Sequence, residues 1–150
     1  MSTPGPTTGY LLWRLAMKWR AAGDRALASL GLTHAQYAVL APLYAMTSAG
    51  GAPSQRQLAD HTGLEPVYVS KLVRALERYG LVTRTESPAD PRAVQLRLTE
   101  RGTEVAGRAI ATIAALQEEL TAPLGGSQGE ETQRLRDLLR RLLDPHAPSA

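Results

Sequence analysis

The stretch that decides the fold runs from Leu64 to Leu98, LEPVYVSKLVRALERYGLVTRTESPADPRAVQLRL. Val69, Leu72, Val73 and Leu76 fall at i, i+3, i+4 and i+7, the spacing of one apolar helix face. Val67, Ser70, Lys71, Arg74 and Arg78 keep the same period on the opposite side, and most of them are polar or cationic. Pro66 suits the first helical turn, where its missing N–H costs nothing, and Gly80 stands where a glycine closes a helix. Leu81 to Thr85 is a short β-branched run, and Ser87 to Pro91 supplies turn chemistry. Val94, Leu96 and Leu98 then alternate with Gln95 and Arg97, as along a strand. Helix, strand, charged turn, strand is the order of a recognition helix followed by a β-hairpin wing. A helix buried on one side and basic on the other is suited to the major groove of DNA.

Upstream, Ser54 with Gln57 forms a capping box that opens a short helix ending near His61. Thr62-Gly63 makes a tight turn into the recognition helix, so the pair has helix-turn-helix spacing. Thr33 with Gln36 is another capping box, opening a helix through about Met46 in which Pro42 should remove one backbone bond and introduce a bend. From Gly9 to Leu30 a further helix is expected, with Leu12, Leu15, Met17, Trp19, Ala22, Ala26, Leu27 and Leu30 as its apolar surface. Gly23 should weaken its centre by about 1 kcal/mol relative to alanine. Downstream, Thr99 caps a helix to about Thr121, with Ala106, Ala109, Ile110, Ile113, Leu116 and Leu120 in line. Pro123 and Gly125-Gly126 break it. Ser127 with Glu130 predicts a third capping box, and a last helix to Leu143 carries the leucine face Leu135, Leu138, Leu139, Leu142 and Leu143.

The predicted fold is mostly α with a small β-hairpin: a winged helix-turn-helix over residues 32–99, flanked by helices over 9–31 and 100–143. Residues 1–8, rich in Pro, Gly, Ser and Thr, are expected to be a disordered tail, and residues 144–150 form a second tail. The flanking helices are too apolar to be spacers. A symmetric partner would cover them, so a homodimer is expected, with two recognition helices meeting half-sites about one helical turn apart.

The composition sets bounds on function. A hydrophobic content of 43%, a charged content of 21% and a formal charge of +3 over 150 residues describe an ordinary globular protein that leans basic. That balance permits a polyanionic partner without requiring one. The absence of cysteine excludes disulfides and thiolate metal sites. No apolar run approaches the ~18 residues of a membrane span, and the first residues lack the pattern of a signal peptide, so a cytoplasmic location is expected. The three histidines, His34, His61 and His146, show no metal-ligand spacing. No nucleophile elbow, phosphate-binding loop or dinucleotide fingerprint is present, so neither an enzyme nor a cofactor is expected.

Taken in order, the residues resemble the MarR-type bacterial transcriptional regulators. The matching pieces are Gly31-Leu32-Thr33 with Gln36 and Leu40, Ser54-Gln55 with Leu58-Ala59, and Val69, Leu72-Val73 and Leu76-Glu77. They continue through Gly80-Leu81-Val82 and Arg84 to Asp90, Arg92, Leu98-Thr99 and Gly102. Any one piece is weak, but the ordered set spans nearly the whole chain. The resemblance implies a dimeric winged-helix repressor that a small aromatic or lipophilic ligand releases from a palindromic operator.

Arg92 matches the wing arginine that such proteins place in the minor groove. Asp90 matches the wing acid, commonly paired with an arginine, for which Arg84 is the candidate. Pro91 departs from the polar or basic residue usual there, which stiffens the wing and removes one phosphate contact. Pro66 and Val67 make the front of the recognition helix less polar than usual. Base readout is then assigned to Tyr68, Ser70 and Lys71, with van der Waals contact from Val67 to a thymine methyl.

The remaining DNA contacts are expected from Arg74 and from Ser54 and Gln55, whose helix start can bind phosphate. Lys71, Arg74 and Arg78 could also form a solvated helix face; the adjacent wing favours DNA for Lys71 and Arg74 and leaves both readings open for Arg78. Trp13, Met17, Tyr37 and His34 are candidates to line the ligand cleft that the resemblance implies between the dimerisation helices and the winged domain; otherwise their bulk is packing. The alternative is a winged-helix protein-interaction module that has lost DNA binding. It would carry a non-basic recognition face and a neutral wing.

Overall fold

The structure, a computed structural model, describes residues 4–146. Residues 1–3 and 147–150, parts of the expected tails, lie outside the described residues. The chain divides into two compact units, Met1–Thr112 and Ile113–Ala150.

The first unit begins with α1, Thr8–Leu27, capped by the Thr7 hydroxyl oxygen, which accepts the Tyr10 N–H at 3.3 Å. A 3-10 turn over Ala28–Leu30 ends it, where an unbroken helix was expected. α2, His34–Ser48, starts with the expected capping box: Gln36 N–H donates to Thr33 Oγ1 at 3.1 Å, and Thr33 N–H donates to Gln36 Oε1 at 3.0 Å. Ser54 and Gln57 repeat the device at α3, Gln55–Thr62, with distances of 3.0 and 2.8 Å. Each box satisfies two donors that a bare helix end would leave open.

α4 spans Pro66–Arg78 and buries Val69, Leu72, Val73 and Leu76, the stripe read from the sequence. α2 is the hub of this unit, packing against α1, α3, α4 and the second strand. Val39, Leu40, Leu43, Leu58, Val69, Val73 and Leu76 are fully enclosed. At about 2 kcal/mol for each such side chain taken out of water, this core is what holds α4 in place.

α4 ends in a paired-bond stop. Gly80, at φ 74°, donates its N–H to Glu77 O at 3.0 Å, and Leu81 N–H donates to Leu76 O at 3.0 Å. Only a residue at ease with positive φ closes a helix this way, hence the glycine. Strand β1, Val82–Glu86, then pairs antiparallel with β2, Val94–Leu98, in the register Val82 to Leu98 through Glu86 to Val94. β1 starts one residue later than predicted because the Leu81 N–H belongs to the helix stop.

The sequence did not show a further edge to this hairpin. Ser54 bridges Gln95, Leu96 N–H donates to Pro53 O at 2.9 Å, and Gln95 Nε2 donates to Ala52 O at 3.3 Å. The loop before α3 therefore acts as a rudimentary third strand.

α5, Glu100–Thr121, starts where Gly102 N–H donates to Thr99 Oγ1 at 2.9 Å, while Thr99 N–H donates to Leu81 O at 3.0 Å. Gly102 is pressed onto the Leu81 backbone, so close that an added Cβ would lie 2.8 Å from the carbonyl carbon and closer still to its oxygen. Gly23 is similar: a Cβ there would collide with the His34 ring. The propensity lost at Gly23 is the cost of that close approach.

In the second unit a 3-10 turn, Ala122–Leu124, follows α5, and α6 spans Glu130–Leu143. The predicted Ser127–Glu130 capping box is absent, because Gly129 is the N-cap and Glu130 the first helical residue. The chain first turns through Gly125 and Gly126, both at positive φ, and Ser127 N–H donates to Glu118 Oε2 at 3.0 Å. The buried Thr132 hydroxyl completes the turn by donating to Gly126 O at 2.7 Å. Hydrogen bonds from Ser127, side chain and backbone, hold the Glu118 carboxyl below its ordinary value.

Two outcomes follow. Gly102→Ala should lower stability by about 2 kcal/mol through overpacking, whereas Gly107→Ala, with nothing within 4 Å of the new Cβ, should raise it by about 1 kcal/mol; denaturant midpoints decide both. In an NMR titration the Glu118 carboxyl should ionise below the ordinary glutamate value of 4.5, and Ser127→Ala should move it back up. Because the folded-state pKa is lowered, this turn is at full strength above the ordinary glutamate range and loosens as pH falls through the lowered value.

Candidate nucleic-acid interface

With the apolar stripe of α4 buried, its other face turns to solvent. Pro66, Val67, Ser70, Lys71, Arg74 and Arg78 line one groove of about 590 Å³. Lys71, Arg74 and Arg78 are exposed, Ser70 is half-buried, and Tyr68 is exposed at the flank. Val67 is 83% exposed. The structure therefore brings Val67, Ser70, Lys71 and Arg74 to one open, cationic surface.

The start of α3 contributes less than the sequence suggested. Ser54 is half-buried and its hydroxyl oxygen is engaged by Gln57 N–H. Gln55 is half-buried, with its side-chain oxygen enclosed and without a hydrogen-bond partner. Arg56, one residue on, is exposed. It is the cation of that turn, and its signal, an arginine beside a helix cap, was present in the sequence.

At the wing, Asp90 Oδ1 accepts the Arg92 N–H at 3.0 Å, and Ala93 N–H donates to Asp90 O at 3.0 Å. Ser87 N–H donates to Ala93 O at 3.0 Å and closes the loop, leaving the Arg92 side chain exposed at its end. The expected Asp90–Arg84 pair does not form. Arg84 Nε donates instead to Glu77 of α4 at 3.3 Å. The reason is position: β1 packs on α4, so mid-strand Arg84 meets a helix carboxylate, while Asp90 sits beyond the strand ends. Asp90 steadies the wing through the backbone, and Arg84 ties the strand to the helix.

The four candidate ligand residues fall into two pairs. His34 and Tyr37 are half-buried neighbours on α2, with ring centroids 6.2 Å apart. His34 N–H donates to Asp24 Oδ1 at 2.7 Å, and burial raises the Tyr37 phenol above its ordinary pKa. Trp13 and Met17 lie on the solvent-exposed first half of α1, where Trp13 stacks on Tyr10 at 6.2 Å. Among the described residues, no group of three or more His, Asp or Glu side chains could hold a metal ion. Among the same residues, no helix is long and apolar enough to cross a membrane.

Comparison with known proteins agrees with this geometry. A match to the MarR family spans residues 30–93. The HTH-type transcriptional regulator YdcH of Bacillus subtilis is 33% identical over 121 residues, covering 81% of this chain and 82% of the relative. The PcaV transcriptional regulator from Streptomyces coelicolor, solved with its natural ligand, is similar with a TM-score of 0.79 at 29% identity, over 98% of this chain and 100% of that one. The transcriptional repressor CouR, bound to a 23-mer DNA duplex, gives a TM-score of 0.73 at 31% identity, over 95% of this chain and 93% of that one. CouR from Rhodococcus jostii RHA1 has also been solved bound to p-coumaroyl-CoA. A buried-stripe recognition helix, a hairpin wing and similarity along almost the entire length lead to one conclusion: the chain belongs to the MarR family of winged-helix DNA-binding transcriptional regulators.

Proposed function

We propose that this regulator is a cytoplasmic homodimeric repressor that binds a palindromic operator and is released by a small aromatic or lipophilic ligand. The observation that carries the DNA reading is the exposed groove face of α4, with Lys71, Arg74 and Arg78 free of any ion pair among the described residues. Phosphate contacts from Arg74 and from the start of α3, where Arg56 is exposed beside Ser54 and Gln55, set the register. Val67, Tyr68, Ser70 and Lys71 meet base edges in the major groove, and Arg92 enters the minor groove, where negative potential favours a guanidinium. Asp90 holds the wing turn for it, with Arg84 anchoring the strand behind.

Exposed apolar surface supports the homodimer. In the first unit Tyr10, Leu11, Leu12, Trp13, Leu15 and Met17 are exposed on α1, and in the second Leu138, Leu142 and Leu143 are exposed on α6. In each unit, exposed apolar side chains gathered on one helix call for a partner. Release by a ligand follows the precedent of PcaV and CouR, both solved with ligands. His34 and Tyr37 would form one wall of the cleft, and Trp13 and Met17 would join it from α1. Repression has its precedent in CouR.

The deciding experiment is a mobility-shift titration on the DNA upstream of the chain's own gene, with unrelated duplex as competitor, beside sedimentation to measure mass. A monomer, or binding that any DNA competes away equally, would overturn the proposal. Arg92→Ala should weaken operator binding at least about tenfold while leaving the dimer folded. Arg74→Ala should lower the slope of log affinity against log salt by about one per half-site, since each phosphate contact releases bound counterions. Addition of salicylate-like compounds should quench tryptophan fluorescence; a flat titration would remove that ligand class.

A further inference from the structure

We infer that Val67 makes this regulator require a thymine at one fixed position of each half-site, recognised by its C5-methyl group; the inference rests on the DNA-binding face proposed above. Val67 is 83% exposed, yet it lies on the groove face with Ser70, Lys71, Arg74 and Arg78, not on the buried stripe. An exposed valine does nothing for the core and is a poorer helix former than alanine. Val67 stands at the N-terminal end of the groove that Lys71, Arg74 and Arg78 make cationic, where an apolar side chain gains most from an apolar group on the bound duplex.

Major-groove chemistry supplies only one. The base edges there present hydrogen-bond donors and acceptors, and the sole apolar group is the thymine methyl. Val67 is also suited to find it at a fixed place. Pro66 fixes the backbone φ at the start of α4, and a β-branched side chain in a helix holds one dominant rotamer. Its methyl groups therefore stand at a set position and lose little freedom on contact. Apart from Pro66 at the helix start, the rest of the groove lining, Ser70, Lys71, Arg74 and Arg78, is polar, which confines the apolar contact to the Val67 end of α4.

The test uses the full-length protein and the duplex of highest affinity selected from a randomised library. Each thymine is replaced in turn by deoxyuridine, which lacks only the C5-methyl group. At one symmetric pair of positions the replacement should weaken binding about fourfold per half-site, the effect of burying one methyl. Val67→Ala should bind the thymine and deoxyuridine duplexes alike, with an unchanged circular dichroism spectrum because the residue lies outside the core. A selected duplex in which no thymine methyl matters, or a Val67→Ala protein that still discriminates, would overturn the inference and leave the regulator reading standing. A selection that recovers no preferred duplex would overturn both.

Discussion

Everything at the interface depends on the burial of Val69, Leu72, Val73 and Leu76 against the α2 and α3 side of the core. A helix with one enclosed apolar stripe cannot rotate about its axis without exposing that stripe to water. Four side chains at about 2 kcal/mol each outweigh any gain from turning the cations inward. Lys71, Arg74 and Arg78 are thus outward for reasons that have nothing to do with DNA. The functional face is the complement of the packed one, and the packed one is fixed first.

The same helix sets the wing. Its stop at Gly80 delivers Leu81 to the core and points the chain into β1, and α5 returns so close to Leu81 that only Gly102 fits. Arg84 reaches back to Glu77 and ties strand to helix. Both partners are partly exposed, so this pair contributes at most about 1 kcal/mol and serves orientation more than stability. The hairpin gains a second tie from the loop before α3, whose backbone pairs with Gln95 and Leu96. An isolated two-stranded hairpin is marginal in water. Packing on α4 and pairing with this loop are what make the wing a defined arm.

Two kinds of surface remain once each unit has packed. One is cationic and grooved, on α4. The other is apolar, along the first half of α1 in the first unit and on the late turns of α6 in the second. Water tolerates the first and penalises the second. The homodimer proposed above would give both a use, since twofold partners can cover apolar helices while presenting paired basic ones.

By itself the sequence determined the elements whose cause is local. The two capping boxes, the 3.6-residue period of α4, the Gly80 stop and the alternation of β2 all depend on residues within a few positions of one another. The groove-face residues of α4 were legible for the same reason, as the other half of that period. Tertiary structure alone decided which long-range partners meet. Arg84 found Glu77 instead of Asp90 because strand packing, not sequence spacing, sets which carboxylate is near. The third strand edge was invisible because Pro53 and Ser54 carry no alternation and borrow their pairing from Gln95 and Leu96. The Ser127 capping box is absent because the helix starts only at Glu130, with Gly129 as N-cap, while Ser127 N–H is held by Glu118, nine residues back. Local signals are set by short-range sterics and hydrogen bonds, whereas the choice among distant partners exists only after the core has brought the elements together.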